Sequence, residues 1–208
     1  MNSSVLDLGK RARSMTRKAH PVDTPTPDSF APDCGTRDGG NGGSTVDSHV
    51  HVWDPSRLGY SWLEGDPLLG AAHLPESIAE PEVSRVIFVQ SDADDGDAEV
   101  AWIQGLASEW PQLAGIVGFA PVERADLPQV LDRLEALPLL VGVRRLLQDE
   151  PGGFIESDEM KRGLAVLADG RIPFDACIRH QQLPELVRAL QGGCPNSVSC
   201  SIISVNHR

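Results

Sequence analysis

Val46-Asp47-Ser48-His49-Val50-His51-Val52-Trp53 is the stretch on which the fold turns. Valines alternate with polar residues in it, the period of a strand, so His49 and His51 leave the same face. Two imidazoles projecting from one strand end can share a divalent cation, although two ordinary core or surface histidines would show the same spacing. Asp47 lies just before the pair, and a segment carrying Trp53, Tyr60 and Trp62 follows it. A strand end leading into an aromatic-rich loop is where barrel enzymes place their active sites.

Outward from this stretch, short β-branched runs alternate with amphipathic ones, as in repeated β/α units around a parallel sheet. Strands are predicted at 45–52, 84–90, 114–120, 139–145 and 172–179, with helices at 98–109, 125–135, 157–168 and 183–190. Ser157, followed by Asp158 and Glu159, is a helix start, because a hydroxyl cap and acidic first-turn residues suit the positive end of the helix dipole. Val86-Ile87-Phe88-Val89 and Leu139-Leu140-Val141 are unbroken apolar runs, which predicts burial on both faces of a parallel sheet. The connection 54–83, with Tyr60, Trp62 and several prolines, is expected to form a loop over a pocket mouth.

The 208 residues are 40% hydrophobic and 23% charged, the composition of an ordinary globular chain. The net charge of −12 argues against nucleic acid and anionic membrane surfaces as partners. Residues 1–44, rich in Ser, Thr, Pro, Asp and Gly, hold the basic run Lys10-Arg11, Arg13, Arg17-Lys18 and show no periodicity. They are expected to be a disordered tail. No apolar run approaches the roughly 20 residues that span a bilayer, and Cys34, Cys177, Cys194 and Cys200 form no C-x-x-C pair. A cytoplasmic chain with reduced thiols is the expectation.

With this layout the chain resembles the amidohydrolase-related lactonases, the group with L-fuconolactonases and 2-pyrone-4,6-dicarboxylate lactonases. Val46 to Pro55 with Tyr60-Ser61-Trp62-Leu63 is similar to the family's opening, and Val86-Ile87-Phe88-Val89-Gln90 to its second strand. Gly115-Ile116-Val117-Gly118-Phe119 resembles the third strand and Val141-Gly142-Val143-Arg144-Arg145 the fourth. Phe174-Asp175-Ala176-Cys177-Ile178-Arg179-His180 resembles the fifth. The specificity lies in the ordered set.

The resemblance implies a (β/α)8 TIM-type barrel, with about its first five units in 45–194. It also implies a hydrolase opening a lactone with an activated water, in some members with a bound divalent metal such as zinc or manganese. Related barrel decarboxylases and a non-catalytic remnant are the alternatives. In the lactonase reading His49 and His51 hold the metal, and the partner is a small lactone or carboxylate. Arg144 holds a substrate carboxylate or oxyanion, or else pairs with Asp149 or Glu150. His180 contacts substrate or metal if the fifth strand continues that far, where it would share the parity of Phe174, Ala176 and Ile178, and otherwise faces solvent. Gln90 bonds substrate or is a satisfied core amide. Trp53, Tyr60 and Trp62 wall the ring or pack the loop. His20, His73 and His207 carry no such context.

The family continues with a sixth strand similar to Val-Leu-Asp-His-Leu-Gly-Lys-Pro, and an Asp in later units serves as general base. Here 195–208 instead read Pro-Asn-Ser-Val-Ser-Cys-Ser-Ile-Ile-Ser-Val-Asn-His-Arg. Codons for 196–208, shifted by two bases, can be written to translate as Leu-Arg-Phe-Val-Leu-Asp-His-Leu-Gly-Lys-Pro-Pro. The expectation is therefore a frameshift after Pro195, an aberrant tail, unpaired edges on strands one and five, low solubility and no turnover. The nucleotide sequence around codon 196 tests this.

Overall fold

The computed structural model describes residues 45–193 and 200–204. The predicted tail 1–44, with His20 and Cys34, lies outside the described residues, as do 194–199 and 205–208.

Six parallel strands form one sheet in the order β1-β2-β3-β4-β5-β6. They are β1 Thr45–Val50, β2 Val83–Val89, β3 Leu113–Phe119, β4 Leu140–Leu146, β5 Phe174–Ile178 and β6 Cys200–Ser204. Helices α1 Gly96–Gly105, α2 Leu127–Leu134, α3 Asp158–Gly170 and α4 Leu183–Gly193 alternate with β2 to β6. Each strand lies beside its predecessor, and the order never reverses. A doubly wound sheet has a switch point where it does, so sequential winding of this kind is that of a partial (β/α)8 barrel. Every predicted strand is present.

The helix ends follow local chemistry. Asp95 caps α1 by accepting the Ala98 N–H at 3.0 Å, and Ser157 caps α3 by accepting from Met160 at 3.2 Å, as expected. These side chains satisfy N–H groups that have no partner within the helix. Pro128 sits in the first turn of α2, where its missing donor is harmless.

The core lies between sheet and helices. Phe88, Ile116, Val143, Phe174, Ala176 and Ile178 from the strands meet Val100, Ile103, Leu131, Leu164, Leu167, Leu186 and Ala189 from the helices, all buried. Close approach demands glycine at two points. A Cβ on Gly118 would stand 2.7 Å from Val100 Cγ2, and one on Gly163 would stand 1.8 Å from the Val122 carbonyl oxygen. These positions seat α1 on β3 and α3 on the segment after β3.

Two expectations need correction. Val141, read as buried, is 44% exposed, because the six strands described leave the face opposite the helices without strands across from it. The edge of β5 is not left open either. β6 pairs with it from Phe174↔Cys200 to Ile178↔Ser204. Strand pairing is made by main-chain groups, so a Ser-Ile-Ile-Ser run unlike the family's sixth strand can occupy that place. On the other side β1 pairs with β2 and forms the outer edge among the described strands.

Candidate functional site

β1 delivers the histidine pair. His49 Nε2 and His51 Nε2 stand 3.0 Å apart, with the rings nearly perpendicular at 81°. His51 Nδ1 lies 2.8 Å from the Val89 carbonyl oxygen, which can accept only, so Nδ1 carries the proton and Nε2 presents a lone pair. Asp47 steadies the strand by accepting the His49 N–H. Burial, with Arg144 second, holds His49 below its ordinary value. Burial likewise pushes His51 down to about 4. Both rings are thereby kept in the neutral form that binds metals. A cavity of about 360 Å³ opens beside the pair, with Asp47 on one wall and Glu76, Glu80, Glu109 and Trp110 among its other lining residues.

The pair suits a divalent cation as two converging nitrogens. Protein zinc sites use three or four ligands, and among the described residues no group of three His, Cys, Asp or Glu is gathered for a metal. The described residues therefore provide part of a donor set.

β2 is followed by Gln90, Ser91 and Asp92. Gln90 is 2% exposed, and its Oε1 accepts the Asp92 N–H at 2.7 Å. Its Nε2 is buried without a partner. Asp92 takes the left-handed conformation at φ 62°, which an aspartate tolerates better than most residues. Burial raises its carboxyl, and Arg144 opposes that.

Arg144 at the end of β4 is 6% exposed, with Nε buried and unpartnered. The ion pairs foreseen for it belong to its neighbours: Arg145 bonds Glu123 and Glu150, and Arg179 bonds Asp149 at 2.6 Å. Arg144 pairs in register with Asp175 of β5. Its charge acts on His49, His51, Asp92 and Glu99, while Asp175 raises His49. The structure thus brings His49, His51, Gln90 and Arg144 to one end of the sheet.

His180 is not brought in. β5 stops at Ile178, and His180 is exposed at the start of a 3-10 turn, His180–Gln182. Parity runs opposite to the expectation: Phe174, Ala176 and Ile178 pack under the helices, and Asp175, whose charge acts on His49, takes the other face. The more apolar side of a strand packs against the helices, which leaves the polar residue on the opposite face.

The aromatic residues tie down the long connection. Trp53 Nε1 donates to the Leu69 carbonyl, and its ring stacks on His73 with centroids 4.3 Å apart. It meets Trp62 edge to face at 5.7 Å. Trp62 Nε1 donates to the Ser91 carbonyl at 2.8 Å, and Tyr60 is buried with its hydroxyl unpartnered. His73 thus has a packing role.

Sequence reasoning missed Asp92, Asp175 and Glu99. Glu99 is fully buried. Burial pushes its carboxyl up to about 7, against the pull of the Ser91 and Ala93 main chain. Its signal was present, since Glu99 stands four residues before buried Ile103 and on the same helical face.

No family model matches the chain. An L-fucono-1,5-lactonase from Burkholderia ambifaria is 27% identical over 149 residues, which are 68% of this chain and 50% of that protein. An amidohydrolase from Burkholderia multivorans, solved with bound zinc, is 25% identical with a TM-score of 0.59, over 73% of this chain and 54% of that one. Amidohydrolase 2 from Bifidobacterium longum subsp. infantis shares the fold at a TM-score of 0.59 and 22% identity, over 76% of this chain and 59% of that one. The chain spans about half the length of the curated relatives it matches. Among the described residues no helix is long and apolar enough to cross a membrane. In its ordered strand motifs, its sequential parallel winding and these relatives, the chain is similar to the amidohydrolase-related lactonases.

Proposed function

We propose that the group of residues at the ends of β1, β2, β4 and β5 is the substrate-binding part of a lactone hydrolase that takes a small cyclic ester such as a sugar lactone. The observation that carries this reading is the pair of buried donors without partners, Gln90 Nε2 and Arg144 Nε, at the same end of the sheet as the histidines. An unsatisfied buried donor costs about 1–3 kcal/mol, and more when charged, so a ligand whose oxygens accept from them is favoured.

A lactone carbonyl gains negative charge at its oxygen as water adds to it. Donors already fixed and desolvated stabilise that charge with little reorganisation, and Arg144 can equally hold a substrate carboxylate. His49 and His51 are the residues that would hold zinc or manganese, which when bound polarises the carbonyl and activates water. Trp62, 42% exposed, offers an apolar flank for the ring. The base that takes the proton from water is not assigned to a residue of this chain, so binding is the measurement that tests the reading. Calorimetric titration of a sugar lactone into the 208-residue protein should show saturable binding, weakened at least tenfold by Arg144→Met and by Gln90→Leu. Equal affinity in wild type and Arg144→Met would overturn it.

A further inference from the structure

We propose that Glu99 is a positioning residue whose buried carboxylate, through the Ser91 main chain, sets the turn that presents Gln90 and Asp92 at this end of the sheet. Glu99 belongs to the first turns of α1 and has no exposed surface. Both carboxylate oxygens accept the same donor, the Ser91 N–H, at 3.0 and 3.2 Å.

Ser91 is a junction. Its hydroxyl donates to the Val52 carbonyl just beyond β1 at 2.9 Å, and its carbonyl accepts from Trp62 Nε1. Four pieces meet there: the end of β1, the aromatic loop, the end of β2 and α1. On either side of Ser91 stand Gln90, whose Oε1 is held by the Asp92 N–H while Nε2 is left without a partner, and Asp92 in its left-handed conformation.

Stability does not account for an acid at this position. A fully buried carboxylate is expensive to desolvate, and the Ser91 and Ala93 main-chain groups offset only part of that cost. What a carboxylate adds is a short, branched acceptor with two oxygens on one hydrogen, which fixes the direction of that N–H and hence of the peptide planes beside it. Rigid support behind the residues that touch ligand is what precise sites need. The consequence for lactone binding rests on the function proposed above; the geometric claim does not.

Two arms keep these apart. In nitrogen-15 NMR spectra of the full chain, Glu99→Asp keeps the charge but loses the reach, and Glu99→Leu fills the space without an acceptor. Both should displace the Ser91 and Asp92 amides, the Gln90 side-chain amide and the Trp62 indole signals, while α3 signals stay in place. Glu99→Gln, which keeps the reach and one of the two oxygens, should displace all four signals less than either. Lactone affinity should fall at least fivefold in the first two variants and stay within about twofold in Glu99→Gln. Four unmoved signals in whichever of Asp or Leu folds, or displacement in Glu99→Gln as large as theirs, overturns the proposal. If wild type binds no lactone, the lactone reading fails, and the NMR arm alone decides the role of Glu99.

Discussion

His49 and His51 turn their Nε2 atoms toward each other at 3.0 Å, while the Val89 carbonyl holds the far nitrogen of His51. A neighbouring strand thus fixes the tautomer of a residue on β1, as carbonyls commonly do behind ligating histidines. If the pair holds a metal, the 208-residue protein should retain zinc through equilibrium dialysis. His49→Ala and His51→Ala should each weaken retention at least a hundredfold. Metal analysis of dialysed wild type and variants checks this, and equal zinc content in all three would remove the pair from the metal site.

Glu99 should leave a pH signature on stability. Its folded-state value is raised to about 7 from 4.5, so between these values the folded state holds the proton more tightly than the unfolded one. The sign follows: this group's contribution is most favourable below about pH 4.5, declines as pH rises to about 7, and is constant above. The full change is about 3 kcal/mol. His51, lowered to about 4, works in the opposite sense over pH 6.5 to 4, so the comparison must be with Glu99→Gln. Urea denaturation of both from pH 5 to 8 should show the variant gaining on wild type as pH rises.

Arg145 bridges Glu123 and Glu150 with 14% of its side chain exposed, joining the segments after β3 and β4. Arg145→Met leaves two half-buried carboxylates without their cation and should destabilise by about 2–3 kcal/mol. Arg188, exposed in its pair with Glu156, is the control: Arg188→Gln should leave the urea midpoint in place, as expected for a solvent-screened pair.

Gly163→Ala should be among the most damaging methyl additions. Its Cβ would fall 1.8 Å from the Val122 carbonyl oxygen, against backbone that cannot swing away, whereas a Cβ on Gly152 meets nothing within 4 Å. A loss of about 2–3 kcal/mol is expected for Gly163→Ala and less than about 0.5 kcal/mol for Gly152→Ala. Thermal melts of the two variants separate these outcomes.

The strands were legible because main-chain periodicity and apolar content are local properties. Each of the five predicted strands overlaps an observed one, and the helix cap at Ser157 depends on residues within one turn. β6 is not legible in the sequence because its pairing with β5 is a long-range event between main-chain groups. The side-chain parity of β5 was misread because a strand shows which residues share a face without showing which face meets the helices. Glu99 was passed over because an acid on a helix is usually solvated, and only packing shows that this one is buried.

Local spacing and residue type alone specify the alternation of strands and helices, the likeness to amidohydrolase-related lactonases, and the placing of His49 and His51 on one side of β1. Tertiary structure decided what those histidines face. It assigned Arg145 and Arg179 to the carboxylates at hand and left Arg144 and Gln90 with buried, unpaired donors. It also placed Glu99 behind the turn that carries Gln90. The physical reason is that hydrogen-bond satisfaction and desolvation depend on neighbours brought together from distant parts of the chain, which spacing along it does not specify.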